Sequence, residues 1–194
     1  MGDRVYAATM PLPRGGCSAD FVVVEQDDVA PLPAELSIEE AGAMPWDFLT
    51  ALSGLDVLQL SSNDTLLVLG ASGGIGHLAV QLAQHVGARV LAAASGDDGV
   101  ELATRLGAEA VVDGRREDVA AAARTFAPTG LNAALLTVGG AVADRALTTV
   151  RRGGRAAVPN GVVPQPQAGQ GVQLFHYDGA RGPATDRPTD RPTD

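Results

Sequence analysis

The sequence predicts an α/β fold, a doubly wound parallel sheet with helices on both faces, and three observations carry that prediction. Apolar runs of strand length alternate with stretches of helical periodicity from about residue 66 to residue 177. The first run ends abruptly in a glycine-rich turn that opens directly into a helix. Glycine pairs at 139–140 and 153–154 then punctuate the later strands.

Each element follows in order. Leu66-Leu67-Val68-Leu69 has the apolar character of a strand buried on both faces. Apolar residues at Leu78, Leu82 and Val86 mark the helix after the turn, and Gly87 ends it. Ala88 to Ala94 is the second strand, Asp98 to Leu106 a helix, and Val111-Val112 a short third strand. Glu117 to Phe126 is alanine-rich with its charges on one side, as in a surface helix. Asn132 to Val138 reads as the fourth strand and Val142 to Val150 as another helix. Gly153-Gly154 leads into Arg155 to Val158 as the fifth strand, and Val172 to Tyr177 supplies a sixth.

The turn Gly70-Ala71-Ser72-Gly73-Gly74-Ile75-Gly76 carries the chemistry. It matches A-x-G-x-x-G, with Ala71 at the position usually held by the first glycine of a dinucleotide-binding fingerprint. Gly73 allows the main chain close to a pyrophosphate, and Gly76 allows the helix to pack on the strand. The unpaired amides of the helix's first turn, aided by its dipole, face the phosphates. Where an NAD-binding unit places an acidic residue at the end of the second strand, this chain has Ala94-Ser95-Gly96. Ser95 can donate to a 2′-phosphate, and no carboxylate stands there to repel it, so NADP(H) is expected over NAD(H). No Arg or Lys follows at once, and Asp97 and Asp98 suit the start of the next helix.

Gly70 to Ser95, then Leu106-Gly107-Ala108-Glu109-Ala110-Val111-Val112-Asp113 and Thr137-Val138-Gly139-Gly140, resemble the medium-chain dehydrogenase/reductase superfamily. The similarity is to its zinc-free NADPH:quinone oxidoreductase, or zeta-crystallin-like, branch. Gly2 to Tyr6, Gly15-Gly16 before Ala19-Asp20-Phe21, and Ala43-Met44-Pro45 before Leu49-Thr50-Ala51 match the same branch upstream. The resemblance spans about residues 2 to 180 and implies a Rossmann coenzyme domain. It also implies that Thr50 approaches the coenzyme and that Val138 and Gly139 meet its adenine–ribose half. Asn160 and Gly161, at the end of the fifth strand, fall near the nicotinamide. Val138 is equally compatible with core packing, and Asn160-Gly161 with an ordinary turn. The predicted binding set is therefore Thr50, Ala71, Ser72, Gly73, Gly74, Ile75, Gly76, Ser95, Val138, Gly139, Asn160 and Gly161, with no catalytic residue assigned. The branch commonly carries Asp before Thr-Val-Gly; this chain has Leu136.

Composition narrows the chemistry further. A net charge of −9 argues against nucleic acid as a partner, and no apolar run is long enough to cross a bilayer. All 14 basic residues are arginine, which removes a P-loop, a Tyr-x-x-x-Lys reductase and lysine Schiff bases. A single cysteine, Cys17, precludes internal disulfides and a four-cysteine zinc site, and His77, His85 and His176 offer no ligand constellation. Hydride transfer to a quinone or an α,β-unsaturated carbonyl compound, without metal, is what the resemblance implies. A homodimer and a cytoplasmic location are expected.

The chain is short for that superfamily and is expected to be truncated at both ends. Residues 1–45 read as a mostly β remnant of the N-terminal, GroES-like catalytic domain, with strands at Gly2 to Tyr6 and Phe21 to Val24. Residues 46–180 read as the coenzyme domain, in which the loop Val162 to Gly171 should be flexible. The tandem Thr-Asp-Arg-Pro tail, 181–194, should be disordered. Two alternatives to a quinone or enone reductase stand: a coenzyme-binding module without turnover, and an enoyl-thioester reductase.

Overall fold

The computed structural model describes residues 2–8 and 18–179. Strands β1 (Val5–Ala7) and β2 (Val29–Pro31) form a small antiparallel ribbon, with Tyr6 opposite Ala30. Helix α1 (Ile38–Ala43) begins in a capping box, in which Ser37 Oγ accepts from the Glu40 amide and the Glu40 carboxylate accepts from the Ser37 amide. Helix α2 (Pro45–Leu58) follows, with proline in its first turn and Gln59 in the left-handed conformation at its end.

From there the chain alternates. In order come β3 (Thr65–Leu69), α3 (Gly74–His85), β4 (Arg89–Ala94), α4 (Gly96–Arg105) and β5 (Ala110–Asp113). Then follow α5 (Val119–Phe126), β6 (Leu131–Leu136), α6 (Ala141–Leu147), β7 (Val150–Pro159) and β8 (Gln173–Tyr177). All six strands from β3 onward are parallel, in the order β5-β4-β3-β6-β7-β8. The chain builds outward from β3 to β5 and then restarts on the other side at β6, so the strand order reverses between β3 and β6. Thr65 and Asn132 lock that pair at its base: the Thr65 amide and hydroxyl both donate to Asn132 Oδ1, and the Asn132 amide donates to Thr65 Oγ1.

Strand alternation divides the core into two layers. Leu66, Val68, Val90 and Ala92 point to the side covered by α2 and α3, whereas Leu67, Leu69 and Leu91 point to the side covered by α5 and α6. All seven are nearly fully buried. The predicted doubly wound parallel sheet is therefore the observed one, and the small ribbon at residues 5–31 accompanies it.

Several boundaries differ from the sequence reading. Helix α2 is not predicted by the sequence. Its apolar residues do not fall on one stripe, and its buried side includes the small residues Thr50, Ser53 and Gly54. The expected strand at Phe21 to Val24 is absent; Phe21 and Val23 are exposed, with no partner strand among the described residues. The fourth strand stops at Leu136, and helix α6 stops at Leu147 instead of Val150. Val150 already pairs with Leu131, and the register then jumps to Ala133 opposite Arg155, so residues 151–154 bulge out of the ladder. Cys17, Gly15, Gly16 and the 181–194 tail lie outside the described residues. No helix among the described residues is long and apolar enough to cross a membrane.

Candidate coenzyme site

The carboxyl ends of β3 and β4 meet the glycine turn at the edge where the strand order reverses, the place where open α/β sheets bind ligands. Gly70 turns the chain with φ of 90°, a conformation that a side chain would strain. The amides of Gly70 and Ala71 both donate to the Ala93 carbonyl, at 3.0 and 2.9 Å, which ties the turn to β4. The Gly73 amide closes back on the Gly70 carbonyl. The first helical bond runs from the His77 amide to the Gly73 carbonyl. The amides of Gly74, Ile75 and Gly76 precede that bond, and they are the free donors of the helix start.

The glycines in this turn have different causes. A Cβ on Gly76 would collide with the Gly70 carbonyl oxygen and lie 2.8 Å from Ala71 Cα, both backbone, so the fold itself requires glycine there. Gly73 is exposed, sits in ordinary extended backbone at φ −83°, and a Cβ there would only touch the Gly70 carbonyl at 3.4 Å. Nothing in the fold asks for glycine at position 73. Gly74 faces Asp47 of α2: a Cβ on it would lie 2.9 Å from Asp47 Cγ and closer still to Oδ2.

The remaining predicted residues spread along the same edge, with exceptions. Ser72, half-buried, accepts from the Ser95 amide at 3.3 Å and so joins the glycine turn to the tip of β4. Ser95 is exposed at the N-cap of α4, and its own side chain makes no capping bond. Val138 is 40% exposed, which removes the core-packing alternative; its Cγ1 leans over Gly70. Asn160 and Gly161 are exposed at the end of β7, where the Asn160 amide donates to the Tyr177 carbonyl and the Val162 amide closes a turn on Pro159.

Three residues turn out to serve the fold. Ala71 is fully buried with its amide committed to Ala93, so it has no donor left for a phosphate. Thr50 is 5% exposed, its hydroxyl donates to the Trp46 carbonyl at 2.8 Å, and it packs beneath Gly179. Gly139 is glycine because the Pro164 carbonyl lies against it, which also seats the 160–168 loop on the end of β6.

Sequence reasoning missed Thr137, Arg115 and Asp47. Thr137 Oγ1 and its amide both donate to the Leu69 carbonyl, fixing the entry to the glycine turn. Its signals were a polar residue closing an apolar run and its place in the Thr137-Val138-Gly139-Gly140 run. Arg115 follows β5 yet comes beside the tip of β4, its Nη1 3.7 Å from where a Gly96 Cβ would stand. Its neighbour Arg116 is committed to Asp97 at 2.5 Å and to Asp113 at 3.4 Å, whereas Arg115 makes no ion pair among the described residues. Asp113, nearly buried, organises this corner by accepting from the amides of Arg115 and Gly96. Those two bonds, and then the charges of Arg116 and Arg115, hold its carboxyl below the usual carboxylate range against the opposing effect of burial.

Among the described residues no group of three His, Cys, Asp or Glu is placed to hold a metal ion. A polar cavity of about 370 Å³ lies at the opposite, amino-terminal ends of the strands, lined by Gln59, Asp64, Asn132, Arg151 and Arg155 among others. There Arg155 serves the fold, donating to the Leu58 carbonyl at the end of α2.

Comparison with known proteins places this architecture. A 2-methylene-furan-3-one reductase from Solanum lycopersicum is 36% identical over 171 residues, which is 85% of this chain and 42% of the relative. The quinone oxidoreductase of Thermus thermophilus, solved also with NADPH, superposes with a TM-score of 0.79 at 32% identity, over 91% of this chain and 58% of that one. The CurK enoyl reductase superposes with a TM-score of 0.72 at 25% identity, over 81% of this chain and 49% of that one. The chain thus spans about half the length of these relatives. The model of the zinc-binding dehydrogenase family matches residues 74–176, from the glycine turn to the last strand. On that match, with the parallel sheet and the turn at its switch point, the chain belongs to the zinc-binding dehydrogenase family of the medium-chain dehydrogenase/reductase superfamily.

Proposed function

We propose that this chain is the coenzyme-binding core of an NADPH-dependent oxidoreductase that reduces a quinone or an α,β-unsaturated carbonyl compound. The observation that carries the reading is Gly73, a glycine that the fold does not need, exposed beside three free amides. A phosphate brought against that backbone supplies the missing reason for it. The preference for NADPH rests on Ser95 and on the guanidinium of Arg115 beside the tip of β4, where the nearby carboxylates of Asp97 and Asp113 are already engaged by Arg116 and by backbone amides.

When bound, the reduced coenzyme supplies the hydride. The chain holds the diphosphate at the amides of residues 74–76, orients the adenosine end at Ser95 and Arg115, and borders the nicotinamide end with Asn160 and Gly161. The acceptor gains two electrons with the hydride, and water delivers the proton that completes reduction. We read the reaction as metal-free, because one cysteine and three histidines leave few ligands. Residues 1–45 and 46–180 are our assignment of a catalytic-domain remnant and the coenzyme domain, supported by the packing of α2 onto the parallel sheet. The edge of β8, which no other strand pairs among the described residues, motivates a homodimer, which size-exclusion chromatography with light scattering tests. A cytoplasmic location is our working assignment, checked by cell fractionation.

The test is fluorescence titration with NADPH and NADH, combined with absorbance at 340 nm in the presence of a quinone, a small enone or an enoyl thioester. NADPH should bind at least about tenfold tighter than NADH, and Arg115→Ala should remove most of that difference. Equal affinities in the unmodified protein would overturn the assignment at Ser95 and Arg115. A second reading is a coenzyme-binding module without turnover; binding without oxidation of NADPH would support it. Reduction of the thioester alone would favour the enoyl reductase reading, which the likeness to CurK motivates.

A further inference from the structure

The carboxylate of Asp47 is the feature that the coenzyme reading leaves unexplained. It belongs to the first turn of α2 and reaches across to the first turn of α3, so that Oδ2 lies against Gly74. Its charge has no ion-pair or hydrogen-bond partner among the described residues, and the side chain is half-buried. It does not cap α3, whose N-cap Gly73 offers no side chain and whose first-turn amides remain free. An unpaired negative charge therefore stands beside the donors that would take the two charges of a diphosphate.

We infer that Asp47 is an electrostatic brake on the coenzyme, a residue that weakens the hold on the diphosphate and so speeds exchange of oxidised for reduced coenzyme. The inference rests on the coenzyme reading of the glycine turn. In the empty protein the carboxylate is favourably placed at the positive ends of two helices. A diphosphate at the amides of Gly74 to Gly76 brings like charges together at a partly desolvated surface, where they repel more strongly than in bulk water. The repulsion acts on NADPH, NADP+ and ADP-ribose alike, since all three carry the diphosphate. A reductase that must release one nucleotide in every cycle gains turnover from such a term whenever release is slow.

The test is titration calorimetry of the unmodified protein and Asp47→Asn with NADPH, NADP+ and ADP-ribose, at low and at high salt. We expect the variant to bind all three tighter by a common factor, roughly five- to twentyfold at low ionic strength, shrinking as salt screens the repulsion. The melting temperature of the empty variant should be unchanged or slightly lower, which separates the effect from general stabilisation. Asp47→Ser, short and uncharged, replaces the Asn variant if that one fails to fold, and the same tightening is expected. Equal or weaker binding in the folded variant overturns the brake while leaving the coenzyme site standing, and weaker binding marks Asp47 instead as a hydrogen-bond acceptor for the ligand. No heat with any of the three nucleotides, in either protein, overturns the coenzyme reading itself.

Discussion

Gly73 and Gly76, three residues apart in one turn, separate what the fold requires from what a ligand requires. Gly76→Ala forces a methyl group into the backbone of Gly70 and Ala71, which cannot move without shifting β3. We expect that variant to lose about 2–3 kcal/mol of stability, read as a lower midpoint in urea. Gly73→Ala meets only an ordinary contact, so its midpoint should stay within roughly 0.5 kcal/mol of the parent. Gly73→Asp should also fold, yet its carboxylate would face the diphosphate and abolish NADPH binding. A Gly73→Asp protein with parental affinity for NADPH would exclude the turn as the phosphate site. The motif alone does not distinguish these glycines, because a pattern of residue types does not say which neighbour each glycine accommodates.

At the scale of elements, the loop between β5 and α5 shows how a corner is held by charge. Asp113 ends β5 and gathers the amides of Arg115 and Gly96, and the Glu117 carboxylate accepts from the Asp113 amide. Because its carboxyl is held below the usual range in the folded chain, Asp113 contributes stability that is complete above the ordinary aspartate pKa of about 4. That contribution disappears as the pH falls through the lower folded value. Comparison of the parent with Asp113→Asn should therefore show a stability gap at pH 6 that narrows below about pH 4. A gap independent of pH would mean that shape, not charge, holds the loop. This corner also shows where legibility ends. β3, the glycine turn and α3 were readable because a run of apolar residues gives way to glycine and then to helical spacing. Arg115 was not readable, since it comes beside Gly96 only through the pairing of β4 with β5, which local sequence does not specify. Helix α2 was hidden for a different reason, its buried side mixing Thr50, Ser53 and Gly54 with Leu55 and Leu58. Val138 was ambiguous as a residue type, and only its position beyond the end of β6 assigns it to the rim.

For the molecule as a whole, a ligand bound at the junction of β3, β4 and α3 should stabilise the entire sheet, because both core layers pass through these elements. NADPH at about a hundred times its dissociation constant should contribute about 2.7 kcal/mol and raise the melting temperature by roughly 5–10 °C. NADH at the same concentration should raise it by clearly less, and an unshifted melting curve with NADPH would contradict specific binding. The sheet has a further property, which follows from the way Tyr177 of β8 fits against Gly54 of α2. A methyl group on Gly54 would lie 2.5 Å from the Tyr177 hydroxyl oxygen and 2.8 Å from Leu135, and burial pushes that phenol well above its usual pKa. The first long helix is thus completed by a ring that lies more than a hundred residues later in the chain. On the ribosome, α2 can pack on α3 and β3 as soon as these form, but the space beside Gly54 stays open until Tyr177 has left the exit tunnel. Nascent chains halted before Tyr177 should therefore remain open to chaperones and proteases along the side of α2 that carries Gly54, although the glycine turn is already tied to Ala93 and Thr137.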